Sequence, residues 1–170
     1  MGPFGPASFG TDPRVQGDGV RSLDLHIGDM WHRLYYHLVW TTLKRERLID
    51  RQGAGFLCNY FRSVSARYRA RILAVGMVST HVHVFIAGDP QTDWPKLIGH
   101  MKGGSATTWN KSNAPSAGWQ LRWAPSYGLS TVGRRQVDQV REYLRRQPEH
   151  HPDEQIEGWP GDLQSQEFLR

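Results

Sequence analysis

The sequence has very little cysteine and no long apolar stretch. Its one cysteine, Cys58, cannot form an intrachain disulfide, and a zinc site built on several thiolates is excluded as well. No run of about eighteen or more apolar residues is present, so the sequence predicts no membrane span. The N-terminus also lacks the basic and apolar regions of a secretory signal. We therefore expect a protein of the reducing cytoplasm that has no membrane partner.

Acidic residues are fewer than basic ones. Asp and Glu number 16 and Lys and Arg 21 in 170 residues, which gives a formal net charge of +5. Basic side chains dominate between residues 62 and 146, whereas the segment after Gln147 is largely acidic. Basic charge on the folded part favours a polyanionic partner, and nucleic acid is the leading class. The expected location within the cytoplasm is accordingly the nucleoid.

The length fits one domain with additional residues at both ends. Residues 1–29 are rich in Gly and Pro and have no sustained apolar period, which predicts a disordered leader. We expect the folded domain over residues 30–151 and a polar acidic tail over residues 152–170.

Hydrophobic periodicity predicts the element order β-α-β-β-α-β-α in the folded part. Alternating aromatic and β-branched residues indicate strands, and apolar residues at helical spacing indicate helices. The predicted strands are Arg33–Thr42, Ile72–Val78, His81–Ala87 and Leu121–Val132, and the predicted helices begin near Asp50, Asp93 and Arg134, the last ending at Gln147 before Pro148. This order is that of an α+β, ferredoxin-like (RRM-like) split βαβ fold with an antiparallel sheet and both early helices on one face. The opposite face is then available for a site.

The motif His81-Val82-His83 lies on a predicted strand. Residues i and i+2 of a strand point to the same face, so the two imidazoles project together. Imidazole pairs suit several divalent metals and leave coordination positions open for water or phosphate oxygens. By itself, however, the motif is equally typical of two half-exposed polar residues on a sheet.

The last predicted helix carries Tyr143 and Gln147 at a spacing of i, i+4, so they lie one turn apart on one face. Val137, Val140 and Leu144 form an adjoining apolar stripe that should dock the helix and place the tyrosine at the border with solvent. An isolated helical tyrosine most often has no special role. Its combination with the histidine pair favours a functional interpretation.

From Arg33 to His151 the chain resembles a known family, the single-tyrosine HUH transposases of the insertion-sequence 200/605 type, together with the related REP-associated tyrosine transposases. The segments that carry the resemblance are the opening strand YYHLVWTT, the hairpin MVSTHVHVFIAG, the helix with KGGSA, the segment SYGLSTVG and the closing helix VREYLRRQPEHH.

The resemblance implies a metal-dependent single-strand DNA transposase. Such a protein recognises DNA hairpins and cuts and rejoins transposon ends through a 5′-phosphotyrosine intermediate. It implies that His81 and His83 are metal ligands, that Gln147 completes a site for Mg²⁺ or Mn²⁺, and that Tyr143 is the nucleophile. One departure is visible, because Thr80 stands where many relatives carry Asp or Asn before the first histidine.

Binding of DNA requires basic side chains around unstacked bases and phosphates. Any one basic residue is more often a solvated side chain than a contact. The residues that we predict to bind DNA are Arg62, Arg67, Arg69, Lys102, Arg134 and Arg135. Three other histidines are not assigned to the site: His37 is interpreted as a packed sheet histidine, and His150 and His151 as part of the tail.

The resemblance also bears on assembly. In the insertion-sequence branch two subunits pair and each closing helix completes the partner's site, whereas the REP-associated relatives are thought to act as monomers. The short segment LSTVGR, with Gly133, is compatible with a hinge before the closing helix. We therefore expect a homodimer in which the C-terminal helix completes the partner's site.

Two alternatives remain open at this stage. A noncatalytic nucleic-acid-binding module would display aromatic residues on its sheet, and Tyr35, Trp40, Phe85 and Tyr127 are available for this role. A domesticated, inactive transposase derivative is the other alternative. All four residues implied for the chemistry are present in the sequence, which argues against loss by substitution.

Overall fold

The computed structural model describes residues 25–27, 30–32 and 34–159, the first two ranges by their backbone alone. A short antiparallel pair, β1 (Leu25–Ile27) and β2 (Met30–His32), comes first. The main sheet follows and is antiparallel throughout, with the order β4-β5-β3-β6. Its strands are β3 (Leu34–Thr41), β4 (Ala70–Val78), β5 (His81–Gly88) and β6 (Gly128–Val132). This is the predicted α+β fold.

Two expectations about the strands require correction. The leader was expected to be disordered over residues 1–29, but Leu25–Ile27 pair with the next strand, and residues 1–24 lie outside the described part. The fourth strand of the sheet was expected from Leu121, but it begins only at Gly128. The segment before it is irregular and touches the sheet through one isolated bridge, between Thr42 and Trp123.

Six α-helices lie in the described part of the chain. They are α1 (Arg51–Arg67), α2 (Trp94–Gly99), α3 (Ser105–Ser112), α4 (Ala114–Ala117), α5 (Val137–Arg145) and α6 (Gln147–His150). A π-helical turn, His100–Gly104, joins α2 to α3. Local chemistry explains where α1 starts, because the Asp50 carboxylate accepts a hydrogen bond from Gly53 N at 2.7 Å. None of the helices described is long and apolar enough to cross a bilayer.

The two faces of the sheet have different partners. Val82, Val84 and Ile86 are fully buried in the main core, which also contains buried residues of α1, α2 and α3. The intervening residue Phe85 belongs to a separate small cluster with Leu144 of α5. The early helices and α5 therefore cover opposite faces, which agrees with the predicted position of the early helices.

The closing helix differs from its predicted form. The stretch from Arg134 begins as a 3₁₀ turn, continues as α5 and bends at Arg146. Pro148, expected to end the helix, lies instead in the first turn of α6, where its missing N–H costs nothing. In this single chain α5 packs against β4 of its own sheet.

The acidic tail was expected to begin at residue 152, but residues 151–159 pack on the domain. We call this segment the C-terminal strap. Ile156 and Trp159 are buried in the main core. The Glu154 carbonyl accepts hydrogen bonds from Ser79 N at 2.8 Å and Ser79 Oγ at 2.9 Å. The folded domain therefore extends further than predicted, and of the expected tail residues 160–170 lie outside the described part.

Candidate active site

The two histidines of the motif lie on the face of β5 that carries α5. His81 and His83 are only 4% and 7% exposed. The ring of His37, on the neighbouring strand β3, stacks on that of His83, and His37 Nε2 lies 2.8 Å from His83 Nδ1. His37 was interpreted as a packed sheet histidine, and the structure instead makes it a neighbour of the pair.

Burial keeps these imidazoles neutral. Burial, reinforced by the charge of His151, lowers the pKa of His81 to about 4. Burial also lowers the pKa of His83 to about 3, with His37 as the next cause. Neutral imidazole is the form that binds a metal, so both side chains are available as ligands at neutral pH.

Each ring has a polar partner at Nδ1. For His83 that partner is His37, and for His81 it is Thr80, whose Oγ1 lies 2.9 Å from the ring nitrogen. A tautomer with its proton on Nδ1 satisfies these contacts and leaves the Nε2 lone pair of each ring free. The rings are therefore held in a form suited to a cation.

Tyr143 of α5 lies beside the histidines. Its ring meets those of His83 and His37 edge-on, with centroids 5.8 Å and 6.5 Å away, and stacks on His150 at 5.0 Å. The side chain is 40% exposed, so a substrate can reach it. Leu144, the next residue, is fully buried and anchors the helix. The packing of Leu144 thus fixes the position of Tyr143.

Gln147 lies with the histidines and Tyr143, and its position depends on a glycine, Gly76. It is fully buried against His81, yet neither its amide nitrogen nor its oxygen makes a hydrogen bond of normal geometry with a described residue. It reaches this position because Gly76, the cross-strand partner of His83, has no side chain. A Cβ there would lie 2.6 Å from Leu144 O and 2.7 Å from Gln147 Cγ. Sequence analysis missed Gly76, because nothing in the neighbouring sequence indicates that helices far along the chain pack against this strand glycine.

The C-terminal strap adds a second group beside His81. Possible ligand atoms of His81, His151 and Glu154 all lie within 4.8 Å of one another. The ring of His151 meets that of His81 edge-on at 4.6 Å. His150 and His151 were interpreted as tail, and both instead face the site, one towards Tyr143 and the other towards His81. No periodic signal marks this irregular segment in the sequence.

The predicted DNA-binding residues are dispersed. Arg62 and Arg67 lie on α1, behind the sheet as seen from the histidines, and Arg69 follows that helix. Arg134 and Arg135 are exposed in the turn before α5. Lys102 is different, because it is 9% exposed and its Nζ donates hydrogen bonds to Pro125 O at 3.0 Å and Ser126 O at 2.7 Å. Lys102 therefore fastens the loop before β6 rather than offering its charge to solvent.

The fold and the site together define a class: a ferredoxin-like sheet whose free face presents two histidines, an accessible tyrosine and a buried carboxamide. The family model described as "Transposase IS200 like" matches residues 30–147 and so spans all four residues. The chain belongs to the IS200-like transposase family. The resemblance found in the sequence is thereby confirmed.

Solved structures share the fold. One is a candidate transposase of Deinococcus radiodurans R1, with 24% identity and a TM-score of 0.56, covering 72% of this chain and 96% of that one. Another is a REP-associated tyrosine transposase bound to a REP hairpin, with 15% identity and a TM-score of 0.58, covering 81% of this chain and 80% of that one. A search of curated proteins finds no match.

Proposed function

We propose that the protein is a metal-dependent single-strand DNA transposase that uses Tyr143 as its nucleophile. The observation that carries this proposal is the position of an accessible tyrosine against two neutral, buried histidines and a buried amide, all within one chain. Membership of the IS200-like transposase family supports transfer of DNA strands as the activity.

The donor set fits a divalent cation. His81 and His83 would contribute Nε2, and Gln147 would contribute its amide oxygen, which lacks a hydrogen bond of normal geometry among the described residues. An uncharged set of two nitrogens and one oxygen leaves positions open for phosphate oxygens. Because Mg²⁺ prefers oxygen ligands, the two imidazoles favour Mn²⁺ over Mg²⁺. When bound, such a cation polarises the scissile phosphate and neutralises the charge that develops on it.

Tyr143 carries out the bond exchange. Its hydroxyl oxygen attacks phosphorus, forms a bond to the 5′ phosphate and loses its proton, while the bond to the 3′ oxygen breaks and that oxygen takes up a proton. The products are a 5′-phosphotyrosine and a free 3′-hydroxyl. A second 3′-hydroxyl can then attack the phosphotyrosine and release the tyrosine, so strands are rejoined without ATP.

The proposed substrate is single-stranded DNA that carries hairpins. The REP-associated transposase of the same fold is bound to a REP hairpin, and the net charge of this chain is +5. Arg134 and Arg135 are suitably placed among the predicted contacts, since they are exposed next to the helix that carries Tyr143. Arg62, Arg67 and Arg69 would contact a part of the DNA further from the cleavage point.

For assembly, the arrangement within one chain supports an alternative to the exchanged-helix homodimer, which stays a prediction. We expected a homodimer whose closing helix completes the partner's site, but α5 here lies on its own sheet with Tyr143 beside its own histidines. We propose that the nucleophile and the metal ligands of a working site come from the same chain. A homodimer without helix exchange is compatible with this arrangement.

The experiment is a covalent-adduct assay. The protein is incubated with labelled single-stranded DNA from the flanks of its own gene, with Mn²⁺ or with EDTA, and separated by denaturing electrophoresis. We expect an adduct that requires metal and is lost in Tyr143→Phe. Tyr127→Phe is the matched control, because Tyr127 is 43% exposed and Tyr143 40%.

Two outcomes contradict the proposal. An adduct that persists in Tyr143→Phe would identify another nucleophile. Binding of hairpin DNA without any adduct, with both metals tried, would favour the noncatalytic module or the inactive derivative. The structure favours the module less than the sequence did, because Trp40 and Phe85 are buried and not displayed on the sheet.

A further inference from the structure

We propose that Glu154, in the C-terminal strap, is a positioning residue that holds the imidazole of His81 in its metal-binding form. The inference rests on the proposed function, in which His81 is a metal ligand. Glu154 Oε2 lies 3.4 Å from His81 Nδ1 and 3.6 Å from Nδ1 of His151. The carboxylate thus faces the ring nitrogen that the cation would not use.

The backbone holds Glu154 in place from both sides. Its carbonyl accepts two hydrogen bonds from Ser79, in the turn that leads into His81, and its N–H donates to His151 O at 2.9 Å. Downstream, Ile156 and Trp159 are buried in the main core. A side chain anchored in this way loses little freedom when it binds an imidazole, so its position is set before any metal arrives.

Arg45 forms an ion pair with the Glu154 carboxylate. Its guanidinium nitrogen lies 3.0 Å and 3.1 Å from the two carboxylate oxygens of Glu154. Partial burial tends to raise the pKa of Glu154, but the hydrogen bond and the charge of Arg45 are among the effects that lower it overall. The guanidinium thus fixes a carboxylate beside His81 Nδ1, and a carboxylate paired with a cation is a stronger acceptor for an imidazole N–H than the Thr80 hydroxyl.

The same geometry argues against direct binding of a cation by Glu154. His81, His151 and Glu154 are close enough to hold one, with ligand atoms within 4.8 Å. However, a guanidinium already contacts both oxygens of the carboxylate, and a divalent cation there would lie next to that fixed positive charge. A carboxylate that accepts from Nδ1 leaves Nε2 free and makes the ring a better ligand.

The arrangement at His81 parallels that at His83. His37 lies at Nδ1 of His83, whereas Nδ1 of His81 faces Thr80 Oγ1 at 2.9 Å and the Glu154 carboxylate at 3.4 Å. Each ring is therefore held from the side away from the cation. The two partners differ in their position relative to the family match, which covers residues 30–147. His37 lies inside it and Glu154 lies outside it. The strap thus adds a supporting group to a site whose proposed nucleophile and metal ligands lie within the matched region.

The test is the affinity of the full-length protein for Mn²⁺, measured by isothermal titration calorimetry. Glu154→Gln keeps the shape and removes the charge, and we expect the affinity to fall by about 10- to 100-fold with one cation still bound per chain. Glu149→Gln is the matched control, because Glu149 lies close by in sequence and forms an exposed pair with Arg146 at 2.6 Å. We expect it to bind Mn²⁺ as the wild type does. Glu154→Asp keeps the charge but withdraws it by one methylene, and should give an intermediate loss.

A second readout needs no metal. Long-range ¹H–¹⁵N NMR of the metal-free protein reports which nitrogen of His81 carries the proton, and we expect Nδ1–H in the wild type and a mixture in Glu154→Gln. Unchanged affinity and tautomer in that variant would overturn the inference alone. Two Mn²⁺ ions per wild-type chain would overturn it in favour of direct binding by Glu154. A wild type that binds no Mn²⁺ would overturn the proposed metal site and this inference together.

Discussion

The two faces of the main sheet differ in the side chains that they carry and in how tightly those side chains are packed. The face towards α1, α2 and α3 is continuous and apolar, with fully buried aromatic and aliphatic side chains. On the face towards α5, the described residues include a small buried cluster, Ala74, Phe85 and Leu144, and the histidines and Tyr143 lie next to it. Most of the buried hydrophobic residues described belong to the first face, whereas the second carries the histidines and Tyr143 beside a small cluster.

Strand β5 shows how one segment serves both faces. Val82 and Val84 are fully buried in the main core, whereas His81 and His83 alternate with them and face α5. The stability of the domain should therefore be separable from its metal binding, residue by residue along a single strand. Four experiments can break or sharpen this distinction.

The largest effect concerns the attachment of α5 to the sheet, to which the small cluster contributes. Mixing His83→Ala with Tyr143→Phe, under conditions in which subunits can exchange, asks whether one chain's helix completes another chain's site. We expect no adduct from the mixture, because each chain lacks one part of its own site. An adduct that appears only on mixing would show exchange of the helix, as the sequence led us to expect.

A second comparison places one substitution on each face. Leu57→Ala, in α1, should lower the free energy of unfolding by about 2–5 kcal/mol and leave the Mn²⁺ affinity of the folded fraction unchanged. His83→Ala should abolish Mn²⁺ binding with a smaller loss of stability. Urea denaturation and calorimetry measure the two quantities. Equal loss of stability in both variants would contradict the separation of the faces.

Gly76 tests how closely the helices must approach the site face. Gly76→Ala places a Cβ against Leu144 O and Gln147 Cγ, so we expect a loss of about 1–3 kcal/mol in stability and weaker Mn²⁺ binding. Gly99→Ala is the control, because nothing lies within 4 Å of its Cβ. In its helix that change should stabilise by about 0.5–1 kcal/mol. Normal Mn²⁺ affinity in Gly76→Ala would show that Gln147 is not required as a ligand.

The smallest expected effect is on DNA binding and stability, and it distinguishes the exposed Arg134 from the buried Lys102. Arg134→Ala should change stability by less than about 0.5 kcal/mol and lower the salt slope of single-strand DNA binding by about 0.7. Lys102→Met should leave that slope unchanged and lower stability by about 1–3 kcal/mol, since two carbonyl groups lose their donor. DNA affinities measured across a range of salt concentrations decide between the two roles. A changed slope in Lys102→Met would restore Lys102 as a DNA contact.

The sequence predicts the fold and the nucleus of the site because both depend on periodicity. Strand alternation places His81 and His83 on one face. Helical spacing predicts Tyr143 and Gln147 on one face of a single helix, whereas a bend at Arg146 puts them in α5 and α6. His37 could not be assigned in the same way, because its contact depends on which face of β3 pairs with the site face of β5. That choice is made by the packing of the whole sheet.

Other features leave no periodic signal at all. Gly76 matters only because a helix more than sixty residues later lies against it. His151 and Glu154 follow Pro148 in an irregular segment, which reads in sequence as a polar tail. Lys102 looks like any other basic residue until the loop that it holds is known. These are tertiary effects, and local sequence does not encode them.

The C-terminal strap has a consequence for how the domain opens. The amide of Ser79 is bonded to the Glu154 carbonyl, and Ile156 and Trp159 are part of the main core. Release of the strap therefore exposes apolar surface, and the amide of Ser79 should exchange its hydrogen at nearly the rate of global unfolding. The last residues of the family match, at 147, thus do not mark the limit of the cooperative unit, which continues to Trp159.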